Sequence, residues 1–309
     1  MSLVSLVLGR RGKSGFGYAS TAEEVTAGLD LNGKTILLTG SNSGLGLESA
    51  RVLASRGARI VAAARSTEKA AEVVRGLPGP AEHVPLACEL SEPKSVRAAV
   101  DEVKRLDLEL DVMLCNAGIM ALPKRTVQHG HELQFLTNHV GHFLLVTGLL
   151  DRLREHGRVV MLSSAAHRGT PSGGIQFDDL SFARSYSDWR AYGQSKLANL
   201  LFAKALAKRL AGTTKTANAV HPGVIATNLG RHMNPVLLAL YPVATAIAMK
   251  TIPEGAATQC FVAVHPSLEG VSGEYFADCN VASTSRHGRD EALAERLWEV
   301  TERIAAELP

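Results

Sequence analysis

Thr35-Ile-Leu-Leu-Thr39-Gly40-Ser-Asn-Ser-Gly44-Leu-Gly46 decides the fold of this 309-residue chain. A short apolar run ends in a glycine turn, and the helical composition of Leu45 to Arg56 begins inside that turn. Glycines there let the backbone bend tightly and bring its amides close to a pyrophosphate at the positive end of the helix. Outward from this unit the same alternation repeats. Strands are predicted at Arg59 to Ala63, His83 to Cys88, Val112 to Cys115, Val159 to Ser163 and Thr216 to Val220. Helices are predicted at Glu68 to Gly76, Pro93 to Leu106, Glu132 to Leu153 and Trp189 to Leu210. Strands that alternate with helices of this length imply parallel pairing through right-handed crossovers. The expected class is therefore α/β, a doubly wound parallel sheet of Rossmann type, one domain over 32–309 with helices on both faces. Residues 1–31 are expected to form an N-terminal arm, with Arg10 to Leu31 lying on the surface ahead of that domain.

Bulk composition narrows the function classes. Apolar residues make up 46% and charged residues 20%, which describes a soluble globular protein with a sizeable core. A net charge of +3, with scattered basic residues, argues against a nucleic-acid groove. Cys88, Cys115, Cys260 and Cys279 sit far apart, with no metal-ligand or redox spacing, and read as reduced core residues of a cytoplasmic protein. No metal site is expected. The apolar run Met1 to Leu8 precedes Arg10, Arg11 and Lys13; a signal peptide has the reverse order, and the run is too short to span a bilayer.

The glycine turn asks for a dinucleotide, and the next strand speaks to which one. About twenty residues past such a turn a carboxylate would hold the adenosine 2′-hydroxyl of NAD. The second strand instead ends Ala62-Ala63-Ala64-Arg65-Ser66. An arginine favours a 2′-phosphate, so NADP(H) is expected ahead of NAD(H). A second feature is chemical. Tyr192 and Lys196 lie four residues apart in a helical segment, which places both on one face, and an ammonium beside a phenol favours the phenolate.

Together these residues resemble the short-chain dehydrogenase/reductase family. The matching positions are Thr39, Gly40, Gly44 and Gly46; Asn116-Ala117-Gly118; Asn138; Ser164; Tyr192 with Lys196; and Pro222-Gly223 followed by Thr227. Local stretches are similar to the retinol dehydrogenase and WW-domain oxidoreductase branch: Thr137-Asn-His-Val-Gly-His-Phe143, Ser163-Ser-Ala-Ala-His167, Ser195-Lys-Leu-Ala-Asn199 and Gly273-Glu-Tyr-Phe-Ala-Asp-Cys279. The resemblance implies hydride transfer on a carbonyl or alcohol. Tyr192 would be the general acid or base, with Lys196 lowering its pKa and bonding the nicotinamide ribose. Ser164 would donate to the substrate oxygen, and Asn138 would hold a water linking Lys196 to solvent. Gly40, Ser43, Gly44, Leu45, Gly46 and Arg65 would bind the phosphate side of the cofactor. Glu89, Leu90, Asn116, Ala117 and Gly118 would line its adenosine and ribose, and Pro222, Gly223, Val224 and Thr227 its carboxamide. Two departures stand out. Ser43 occupies a place where many NADP-dependent members carry a basic residue, and Glu89 stands where Asp is usual. His139, His142, His167 and His221 are read as packing residues.

The apolar stretch Pro235 to Met249, within a region near 231–253, would act as a lid over a hydrophobic carbonyl or alcohol substrate. A subunit-contact helix and a membrane-surface contact are the rival readings, and homo-oligomers as well as monomers occur in the family. Two other functions are weighed. One is a catalytically silent cofactor-binding regulatory protein, which would be expected to lack Tyr, Lys or Ser at the reacting centre. The other is a sugar-nucleotide epimerase or dehydratase, which more often shows a Gly-x2-Gly-x2-Gly turn and a larger C-terminal domain.

Overall fold

Strand β1 (Thr35–Thr39) is buried at every position, as an unbroken apolar run covered on both faces requires. A computed structural model describes residues 11–225 and 249–309. Around β1 stand β2 (Arg59–Ala64), β3 (Val84–Ala87), β4 (Leu110–Cys115), a small separate hairpin β5 (Val127–Gln128) with β6 (His131–Glu132), β7 (Leu153–Leu162), β8 (Thr216–His221), β9 (Tyr275–Ala277) and β10 (Asn280–Val281). The main sheet runs β10-β9-β8-β7-β4-β1-β2-β3, parallel except for the terminal β9/β10 pair. The chain leaves β1 toward β2 and β3, then crosses back so that β4 pairs on the other side of β1. That reversal opens a crevice at the C-terminal ends of β1 and β4, the place where open α/β sheets bind ligands.

Two cores cover the two faces. One holds α4 (Pro93–Arg105), α5 (Gly141–Gly148), α6 (Asp188–Arg209) and α8 (Glu291–Glu307). The other holds α1 (Ala22–Val25), α2 (Gly44–Ser55) and α7 (Ile252–Val264), while α3 (Thr67–Gly76) packs along β2 and β3. Among the described residues no helix is long and apolar enough to cross a membrane.

Three expectations change. The helix predicted over Glu132 to Leu153 is a composite: an α-turn (Leu133–Phe135), a π-turn (Leu136–Val140), then α5, after which Leu153 begins β7 by pairing with Leu110. Local apolar spacing reads as helix there, and strand pairing overrides it. The segment expected as a surface arm packs against the domain. Thr21 and Glu24 close a capping box on α1, Ala22 and Val25 are buried against α2 and α7, and the Phe16 ring stands edge-on to Phe261 at 5.5 Å. Helices α7 and α8 and strands β9 and β10 were not anticipated, although Thr251-Ile-Pro-Glu254 carries a capping-box signature that the structure closes. Thr227 and, except for Met249, the Pro235 to Met249 stretch lie outside the described residues.

Candidate active site

A cleft of about 400 Å³ occupies the crevice between the ends of β1 and β4. Gly40, Ser43, Gly44, Leu45, Gly46, Arg65, Glu89, Leu90, Asn116, Ala117 and Gly118 all line it. Gly40 and Gly44 take φ of +67° and +53°, the left-handed turn their lack of Cβ permits. A Cβ on Gly46 would run into the carbonyl oxygen of Gly40 and sit 2.6 Å from the Asn116 amide nitrogen, so the turn closes on itself only with glycine. Ser43 precedes α2 without a side-chain capping bond, so its hydroxyl does not take up the first-turn amides that point toward the cleft. Arg65 is exposed at the cleft edge. The Glu89 carboxylate turns back into its own loop, accepting from the Ser91 amide at 3.2 Å and the Ser91 hydroxyl at 3.0 Å. These features fit a dinucleotide: a helix start for its phosphates, a cation at the rim, and a volume in the range of small-molecule sites.

Side-chain hydrogen bonds hold the cleft floor. Asn116 Nδ2 donates to the Thr39 carbonyl at 2.9 Å, and its Oδ1 accepts from Gln259 Nε2 at 3.2 Å. The Ala117 amide donates to Thr39 Oγ1 at 3.0 Å, and Thr39 Oγ1 meets His142 Nε2 at 2.9 Å. His142 Nδ1 lies 2.8 Å from the Asn138 carbonyl, which can only accept, so Nδ1 carries the proton and Nε2 accepts from Thr39. Burial holds the His142 pKa down to about 4, which keeps that neutral form in place. His142 and Gln259 therefore join the site, although the sequence gives only indirect notice of either. His142 sits within the quoted Thr137 to Phe143 stretch, and Gln259 comes from an unanticipated helix.

The four chemical residues gather beside the cleft without lining it. Gly118 is the hinge between the two: a Cβ there would meet Asn138 Oδ1 at 3.2 Å and Lys196 Nζ at 3.3 Å. Asn138, in the π-turn, donates from Nδ2 to the Ile119 carbonyl and to Ser195 Oγ, both at 2.9 Å, and accepts from the Ile119 amide at 2.8 Å. Both of its amide protons are thus committed to protein partners, and the side chain clamps the loop after β4 onto α6. Lys196 and Tyr192 share a face of α6, with Nζ 5.7 Å from the phenol ring centroid, but the ammonium donates to the Leu162 carbonyl at 3.0 Å. Burial dominates both groups. It lowers Lys196 to about 8 and raises Tyr192 to about 12, while a hydrogen bond with Ser164 pulls the phenol the other way. The expected lowering of Tyr192 by Lys196 is not what sets the phenol here; the buried setting and the Ser164 hydroxyl are. Ser164 is held on the end of β7, where its Oγ accepts from the Ala166 amide at 3.2 Å.

Pro222, Gly223 and Val224 follow β8 and do not line the cleft; a Cβ on Gly223, at φ +97°, would press on the Lys250 side chain at 2.7 Å. The four cysteines are free and buried, and among the described residues no group of three or more His, Cys, Asp or Glu could hold a metal.

Comparison with known proteins agrees with this geometry. A family model described as enoyl-(acyl carrier protein) reductase matches residues 40–277. The chain is 44% identical to the short-chain dehydrogenase TIC 32 B, chloroplastic, of Brassica napus, over all of both chains. It is 39% identical to retinol dehydrogenase 14 of Homo sapiens, covering 88% of this chain and 86% of the relative. Among solved structures, an uncharacterized protein from Mycobacterium paratuberculosis superposes with a TM-score of 0.74 at 34% identity, covering 92% of this chain and 98% of that one. A short-chain dehydrogenase from Burkholderia cenocepacia in complex with NADP superposes at 0.62 with 25% identity, covering 80% and 96%. The chain belongs to the short-chain dehydrogenase/reductase family of NAD(P)-dependent oxidoreductases.

Proposed function

We propose that the protein is an NADP(H)-dependent oxidoreductase that interconverts a hydrophobic ketone or aldehyde and its alcohol, with Tyr192 as general acid or base. The observation that carries this reading is the meeting of Ser164, Tyr192 and Lys196 at the edge of a cleft built for a dinucleotide. The nicotinamide, when bound, supplies or accepts the hydride. Gly40 to Gly46 would hold its phosphates and Arg65 the 2′-phosphate that distinguishes NADP(H). A phenol pushed up to about 12 keeps its proton at neutral pH, the state that donates to a carbonyl oxygen during reduction. Ser164 would donate to the same oxygen and stabilise the negative charge that develops there. Lys196 is proposed to hold positive charge under that oxygen and Asn138 to fix the turn on which Lys196 stands. A hydrophobic substrate agrees with the retinol dehydrogenases among the relatives and with the apolar composition of Pro235 to Met249.

Purified protein incubated with NADPH and a panel of apolar ketones, aldehydes and quinones tests this. At least one substrate should be reduced, and Tyr192→Phe should lower kcat about 10²- to 10⁴-fold, the share general acid catalysis supplies. If the whole panel is inert, or the phenylalanine variant matches wild type, the reading fails.

A further inference from the structure

Helix α6 begins with an aromatic residue that stands half-exposed among the described residues. Trp189 is 50% exposed, the one aromatic among the exposed large hydrophobics of the described residues. It stands three residues before Tyr192, one helical turn away on the same face. The two rings meet edge to face, centroids 6.1 Å apart at 83°. Tyr192 itself is only 8% exposed, so the half-open indole stands beside a phenol ring that the fold almost covers. The chain's other tryptophan has the opposite setting. Trp298 is 9% exposed, stacked on Phe202 at 5.4 Å and covered by the Arg209 guanidinium at 3.9 Å. Packing accounts for Trp298 and leaves Trp189 without a structural reason for its exposed half. Leaving a large indole surface in water forgoes burial that an apolar ligand could supply. Across the site, the end of β8 is joined to the Ser164 loop by the Ala165 amide donating to His221 Nδ1 at 3.3 Å, and Val224 in the loop beyond it is 59% exposed.

We infer that Trp189 is a specificity-determining residue, an aromatic wall that seats the planar, conjugated or aromatic body of the carbonyl substrate beside Tyr192. The inference rests on the oxidoreductase reading above and adds the shape of the molecule reduced. A flat π-system laid against the indole gains offset-stacked contact and covers the exposed ring. A short aliphatic aldehyde presents nothing to that wall.

Two measurements separate this inference from the reading it rests on. With saturating NADPH, kcat/KM is measured for retinaldehyde and for propanal in wild type, Trp189→Ala and Trp189→Phe. The ratio of the two should fall about tenfold in the alanine variant, the scale of one aromatic contact, and return most of the way in the phenylalanine variant. A purely structural role for Trp189 would lower both values together and leave the ratio alone, which would overturn the inference. The second measurement needs no turnover. In Trp298→Phe, Trp189 is the sole tryptophan of the two in the chain, and retinaldehyde, whose absorption overlaps tryptophan emission, should quench it saturably. Absence of saturable quenching overturns the wall. If wild type reduces neither aldehyde, the quenching titration decides the wall by itself, while the oxidoreductase reading fails only if the whole panel of ketones, aldehydes and quinones is inert.

Discussion

Arg65 is the side chain on which the proposed preference for NADP(H) rests. It follows the buried strand β2, is exposed at the cleft edge, and stands where an acidic residue would otherwise hold a ribose hydroxyl. Ser43 adds no second charge, so the proposed discrimination would rest on this guanidinium. Charge-assisted hydrogen bonds to a phosphate contribute about 1.5–3 kcal/mol, which corresponds to about ten- to a hundredfold in affinity. Arg65→Ala is accordingly expected to raise the KM for NADPH by about that factor and leave the KM for NADH within about twofold; equal effects on both cofactors in steady-state kinetics would refute the assignment. Residues such as Arg65, Tyr192 and Lys196 were legible in the sequence because their chemistry is tied to short spacings. The protonation of Tyr192 was not. Its phenol is raised by burial, and burial depends on strands and helices far away in sequence that no local motif records.

At the scale of elements, the unit formed by β1, the glycine turn and α2 was readable in full, because its geometry is imposed by residues that adjoin one another. The first turn of α2 approaches the end of β1 so closely that the position of Gly46 has no room for a methyl group against the Gly40 carbonyl. Gly46→Ala must therefore push α2 away from the turn, shifting the amides that face the cleft. An overpacking cost of about 1–3 kcal/mol is expected in urea unfolding, together with at least tenfold weaker NADPH binding by calorimetry. Binding at wild-type strength would mean that the amides do not hold the cofactor. The helical run after β6 was legible in part. Its apolar spacing announced a helix, but the π-turn that carries Asn138 leaves no mark in the sequence pattern. It is fixed instead by partners from elsewhere: Ile119 on the loop after β4, Ser195 on α6, and Thr39 through His142. Helix α7 escaped notice although Thr251 and Glu254 cap it, and with it went Gln259, which braces Asn116 and bonds Ser49 at 2.7 Å.

For the whole molecule, three histidines, His139 and His142 buried and His221 half-buried, act as seams between parts of the fold distant in sequence. His139 reaches Thr301 on α8 at 2.9 Å, His142 joins the π-turn to the end of β1, and His221 receives the Ala165 amide beside Ser164. Burial lowers all three, His139 to about 3 and His142 and His221 to about 4, against an ordinary value of 6.5. The unfolded chain takes up these protons as pH falls through 6.5, while the folded chain resists until about 4. Between those values the unfolded state binds more protons, so stability must fall as pH falls; above 6.5 the full contribution is present, and it is lost as pH drops through about 4 for His142 and His221 and about 3 for His139. Each histidine contributes a slope of about 1.4 kcal/mol per pH unit, so the three together approach about 4 kcal/mol per unit around pH 5. Urea unfolding free energies measured from pH 7.5 to 4.5 should stay level to about pH 6.5 and then drop steeply. His142→Gln, which keeps an amide donor for the Asn138 carbonyl but cannot titrate, should drop with a shallower slope. A flat profile for wild type, or a glutamine variant with the wild-type slope, would show that these seams do not hold the histidines neutral.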